Sequence, residues 1–209
     1  MALNLEETDP KNPWVPSLNT ASVTINTGRK LAGLGQFLDF IHANRSINWA
    51  NPREVLKGMA NVCNALFWGF DNIIFLQRAK LTTFLSEDGK AARHAMCFFF
   101  FAQLLALIGD LIDLRALAAK RRDLEAVIRK STDKADAAAA SAALIAVKTQ
   151  LLWQYAGIIS RIGNLVYSSN GWNLTDKLLG QPFSEKTCAY AGLISGALAL
   201  AKNIESVSK

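Results

Sequence analysis

Apolar positions recur at helical spacing along almost the whole chain, and polar or proline-bearing breaks divide them into five stretches behind a polar arm. Residues 1–20 hold Pro10, Pro13 and Pro16 among polar side chains, which predicts an irregular arm. Over residues 21–44, a turn of about 100° per residue gathers Leu31, Leu34, Phe37, Leu38 and Ile41 into a sector about 120° wide. Arg29, Gln36, Asp39 and His42 lie outside that sector, and Phe40 falls on the polar side. The pattern predicts an amphipathic helix with one misplaced aromatic. It also contains Gly28, Gly33 and Gly35, each of which weakens an isolated helix by about 1 kcal/mol relative to Ala. Such a segment folds best against a surface that stabilises it, either lipid or another helix.

Asn51-Pro52 with Glu54 is a helix start, with Asn51 as the cap and Pro52 in the first turn. A long helix is predicted from 52 to about 85, stopped by the run Ser86 to Gly89. The next helix, over 95–130, opens with 15 uncharged residues, Ala95 to Gly109, and becomes charged after them. An Ala-rich stretch starts another helix over 135–168, which ends at the loop SSNGWN. Thr187 to Ala201 is again 15 residues without charge, bounded by Lys186 and Lys202, and predicts a C-terminal anchor over 187–203. A full span needs about 20 apolar residues, and the two lysines extend the run by snorkelling. Gly192 and Gly196 form a small-xxx-small pair suited to close helix packing in lipid. No strand pattern competes. The expected fold is all-α: a single membrane-associated helical domain over 21–209, with an amphipathic N-terminal helix, long helices, and one or two membrane-embedded hairpin or anchor helices.

Composition agrees with that class. Of the 209 residues, 51% are hydrophobic and 19% charged, against about 25% charged in an ordinary soluble domain; the mean hydropathy is +0.15. The net charge of +6 suits anionic lipid headgroups. Nucleic acid is excluded as a partner, because no dense Lys/Arg patch with interleaved aromatics occurs. Cys63, Cys97 and Cys188 form no CxxC pair and predict buried, reduced thiols. His42 and His94 have no metal-ligand spacing, and no phosphate-binding glycine loop is present. Asp110 and Asp113, close to Arg115, Lys120 and Arg121, predict ion pairing rather than catalysis. No catalytic, cofactor or metal site is expected, and the chain is not expected to be an enzyme. The acidic, proline-broken N-terminus and the final SVSK resemble no cleavable or terminal address, so targeting is expected to be internal.

Four stretches resemble the peroxin-11 family of peroxisomal membrane-elongation proteins. Arg29-Lys30-Leu31 followed by Leu34-Gly35 and Phe37 is similar to its basic amphipathic segment. Phe70-Asp71-Asn72-Ile73-Ile74-Phe75-Leu76 is similar to its DN-bearing stretch, and Gly109-Asp110-Leu111-Ile112-Asp113-Leu114-Arg115 to the charged exit of its first apolar segment. Ala191-Gly192-Leu193-Ile194-Ser195 resembles its C-terminal anchor. The four occur in family order and cover the chain from residue 27 onward; the short length resembles the divergent glycosomal members of kinetoplastids. The resemblance implies a peroxisomal or glycosomal membrane protein whose amphipathic helix enters the cytosolic leaflet and elongates the organelle before fission. It casts Leu31, Leu34, Phe37, Leu38 and Ile41 as lipid-inserting, Arg29, Lys30 and Arg45 as headgroup contacts, and Gly192 and Gly196 as helix-packing positions. Implied partners are the phospholipid bilayer, further copies of the chain, the fission machinery and a membrane-protein import receptor. Gly33 and Gln36 stand where the family pattern has basic residues, a loss of about 2 kcal/mol of lipid attraction.

Two other readings remain at this level. One is a pore for small metabolites lined by the polar faces of Asp71–Lys80 and Asp110–Arg122; the other is a soluble scaffold in which the 15-residue runs are core. Topology is open too. The segment 119–148 carries seven basic and four acidic residues, which favours the cytosol, whereas the resemblance places both termini there.

Overall fold

Asn51 does what its position predicts: its side-chain oxygen accepts the Arg53 backbone N–H at 3.0 Å, and a helix starts at Pro52. A computed structural model of the chain describes residues 33–81, 89–131 and 133–207, with positions 17, 20, 24, 28, 30 and 31. The helices are α1 (Gln36–Ala43), α2 (Pro52–Arg78), α3 (Lys90–Lys130), α4 (Lys134–Gly171), α5 (Leu174–Leu179) and α6 (Glu185–Val207). A single 3-10 turn, Asn44–Ser46, follows α1. The fold is all-α, with no strand among the described residues.

The limits differ from the periodic pattern in instructive places. Ser17 and Thr20, inside the stretch expected to be irregular, are helical. The single helix expected over 21–44 is interrupted by a turn at Gly33–Gly35. Gly35 has φ +87°, a left-handed conformation that glycine adopts without penalty, and α1 begins only after it. Helix α3 starts at Lys90, five residues before the uncharged run, after Gly89 at φ +71°. Residues 82–88, where the end of the long helix and most of its stop signal were expected, lie outside the described residues. Two caps are local: Asp133 accepts the Ala135 N–H at 2.8 Å to open α4, and Ser184 Oγ accepts the Thr187 N–H at 3.1 Å to open α6.

Successive long helices run antiparallel, and each packs chiefly on its neighbours in the chain. Flanking α1 on either side, Lys30 meets Asp71 and Asn44 meets Gly58 of α2. On α2 and α3, Arg53 pairs with Asp113, while the Phe67 and Phe99 rings lie 4.8 Å apart and Phe70 stacks on Phe98. On α3 and α4, Asp110 pairs with Arg161 and Gln103 accepts from Asn164. Helix α6 lies along α4: Ser160 Oγ donates to the Ser195 carbonyl, and Ser195 Oγ donates to Asn164 Oδ1 at 2.6 Å. The result is a row of helices, not a bundle closed around a common core.

A row leaves its broad faces open. The largest side chain buried almost completely is Ser168, while Leu111, Ile112, Leu152, Ile159, Leu193 and Leu200 stand exposed. Water would not tolerate so much apolar surface around so small a core, which sets aside the soluble-scaffold reading. Helices α2, α3 and α4 are each long and apolar enough to cross a bilayer; α6, the expected anchor, is outside that set. At 41 and 38 residues, α3 and α4 are roughly 60 Å long, about twice the hydrocarbon thickness. Their apolar halves fit the membrane. Their other halves, 114–130 and 134–150, extend past the start of α2 as a helical hairpin carrying eight basic and three acidic residues.

The α4–α6 contact depends on Gly163, where an added Cβ would sit 2.6 Å from the Ala191 carbonyl oxygen and 3.2 Å from Ser195 Cβ. Backbone cannot yield there. Gly163→Ala is therefore expected to lower stability by about 1–3 kcal/mol, read as an earlier thermal transition of the detergent-solubilised chain. Gly196→Ala, whose Cβ meets nothing within 4 Å, is expected to leave that transition in place.

Candidate membrane-inserting site

The segment from Lys30 to Arg45 presents two different sides. Lys30 and Gly33 are buried, and Phe37, Phe40 and Asn44 are half-buried against α2. Leu31, Leu34, Leu38 and Ile41 are 59%, 42%, 56% and 50% exposed, so this apolar set stands open on the outer side. Arg45 is exposed beyond them. The aromatic that a regular helical wheel misplaces, Phe40, belongs to the side that packs on α2.

The inner side is held at both ends. The Lys30 ammonium donates to Asp71 at 2.7 Å, with both side chains about nine-tenths buried. At the other end Asn44 Nδ2 donates to the Gly58 carbonyl at 3.2 Å. Gly58 is needed for that approach: a Cβ there would lie 2.8 Å from the Trp49 ring and 3.3 Å from Ile47. The residues that follow α1 thus fold over the start of α2, with Ile47 buried.

A second group of charges marks the level where the apolar runs end. Arg53 and Asp113, Asp110 and Arg161 form two ion pairs across adjacent seams, and Gln154 Nε2 donates to the Asp110 carbonyl at 2.8 Å. The carboxylates expected to be ion-paired are so, but by arginines of neighbouring helices and not by Arg115, Lys120 or Arg121.

The residues singled out by sequence therefore divide. Leu31, Leu34, Leu38 and Ile41 lie together on the outside, while Phe37 turns partly inward. Lys30 is the departure: in place of an outward headgroup contact, it neutralises a buried carboxylate. Arg29 lies outside the described residues. Gly192 is half-buried and Gly196 exposed, whereas the close α4–α6 contact uses Ala191, Ser195 and Gly163, one position round the helix. The roles of Asp71 and Arg161 escaped the periodic reading. Their signal was isolation: each is a lone charge inside an apolar helical run, which in a membrane helix implies a partner across a seam.

A protein-family model described as Peroxisomal biogenesis factor 11 (PEX11) matches residues 1–204. No curated protein and no solved structure matches the chain.

Removing Lys30 takes a counter-charge from a carboxylate that is about nine-tenths buried, which is expected to cost stability. Lys30→Met alone is expected to free the segment, raising hydrogen exchange across residues 36–43. Lys30→Met with Asp71→Leu is expected to restore most of the protection, because neither charge then remains.

Proposed function

The chain belongs to the peroxisomal biogenesis factor 11 family, whose members act at the peroxisomal membrane in organelle proliferation, and from that premise we propose that it bends and elongates this membrane by inserting the Leu31, Leu34, Leu38 and Ile41 edge into one leaflet. The family is one of biogenesis factors and not of enzymes. The observation that carries the reading is the unpartnered apolar edge on a segment strapped to a membrane-spanning helix. The segment runs antiparallel to α2 with Asn44 at Gly58 and Lys30 at Asp71, so its edge extends from roughly 12 Å along the axis from Arg53 at Ile41 to roughly 27 Å at Leu31. The Ile41 end is the part nearest the depth of about 5–10 Å at which an interfacial helix displaces lipid. Arg45 then lies near the headgroups, at the same end of α2 as the charged level.

The antiparallel order also reconciles the two topology arguments for the C-terminal part. The basic α3–α4 hairpin and the end of α6 lie at one end of the row, so placing the hairpin in the cytosol by its charge also places the C-terminus there. The inserted edge then acts on the cytosolic leaflet, the side on which outward elongation requires extra area. The exposed outer edge of α6, including Tyr190, Leu193 and Gly196, is where a second copy would extend the row. The pore reading receives less support, since Asp110 and Asp113 are each engaged by an arginine.

Overproduction of the chain is expected to lengthen or multiply peroxisomes, including their glycosomal form. Leu34→Asp with Leu38→Asp is expected to remain on the organelle and resist alkaline carbonate extraction while leaving organelle length unchanged. Elongation as strong as that of the unmodified chain would remove the edge from the mechanism; loss of the variant from the membrane would show that the segment anchors and does not bend.

A further inference from the structure

A cavity of about 720 Å3 opens where α2, α3, α4 and α6 come together at the charged level. Arg53 reaches it from α2, Asp113 and Lys120 from α3, Trp153 from α4, and Lys202 and Glu205 from α6. Asp113 is neutralised by Arg53. Lys120 and Lys202 form no ion pair among the described residues, and against Glu205 they leave the cavity with a net positive charge. Thr149 and Gln150 on its wall add a hydroxyl and an amide.

Its level decides what kind of anion can arrive. Lys202 ends the uncharged run of α6, and Asp113 follows that of α3, so the cavity lies at the boundary between hydrocarbon and headgroups. Its Trp is of the type enriched at that boundary. Lys202 extends across to α4, its Nζ 3.9 Å from the position a Gly157 Cβ would take. A volume of this size lies within the usual range of small-molecule sites, and basic pockets between membrane helices suit anionic headgroups.

We propose that this cavity binds the phosphate of one anionic phospholipid between Lys120 and Lys202. The site is separate from the inserting edge of α1 and does not depend on that edge bending the membrane. A zwitterionic lipid offers the same phosphate but no net charge to answer the two lysines, so binding favours net-negative headgroups.

The test is native mass spectrometry of the full chain in mild detergent, titrated with phosphatidylserine and, separately, phosphatidylcholine. One saturable phosphatidylserine per chain is expected. Lys120→Gln with Lys202→Gln should weaken it roughly thirtyfold, since each lysine near such a headgroup contributes about 1 kcal/mol and 1.4 kcal/mol is tenfold. Lys130→Gln with Lys134→Gln, the same charge change at the hairpin tip, should alter binding by no more than about twofold on that scale. Ala146→Trp, which fills the cavity without changing charge, should also remove the bound lipid. Equal losses from both lysine pairs would mean general attraction to the basic surface and overturn the site. Retention of the lipid by Ala146→Trp would overturn it too. Competition by inorganic phosphate or glycerol 3-phosphate at concentrations matching the lipid would identify a soluble phosphate as the ligand and refute the lipid assignment.

Discussion

Between helices in a lipid environment, apolar contact provides little net attraction, because the surrounding acyl chains are as apolar as the side chains themselves. A row of helices without a shared core must therefore fix its order and register through the few polar or close contacts at each seam. Here each seam has one. Lys30–Asp71 joins α1 to α2, Arg53–Asp113 joins α2 to α3, Asp110–Arg161 joins α3 to α4, and Gly163 against Ala191 and Ser195 joins α4 to α6. The placement of the exposed apolar edge, the charged level and the lysine-lined cavity all follow from these four contacts.

The stretches that resemble the family acquire a physical meaning in this light. Lys30 and Asp71 come from two separate stretches 41 positions apart, yet they are the two halves of one ion pair. The third stretch supplies Asp110 and Asp113, the fourth Ala191 and Ser195. What these stretches have in common is position at a seam.

The helical class, the breaks and the Asn51 cap were legible because each is local: periodicity, a proline, a capping side chain. The helical wheel over 21–44 put Leu31, Leu34, Leu38 and Ile41 on one side, where all four are exposed, but treated the segment as one straight helix against one surface. The turn at Gly33–Gly35 and the presence of α2 give it a second side, which is why Phe37 and Phe40 both turn toward α2. The shift from Gly192 and Gly196 to Ala191 and Ser195 has a similar cause. One residue is about 100° of helix, and small side chains at four neighbouring positions do not say which pair faces the partner. Lone charges such as Arg161 announced that a partner existed but could not name it, since its identity depends on which helices end up side by side.

The openness of the row has a mechanical consequence. Helices α2 and α6, at the two ends of the row, both line the cavity at the charged level, so the row is curled and not flat. Its seams carry few polar contacts, so the curl can open or tighten by rotation at one seam without unpacking the helices themselves.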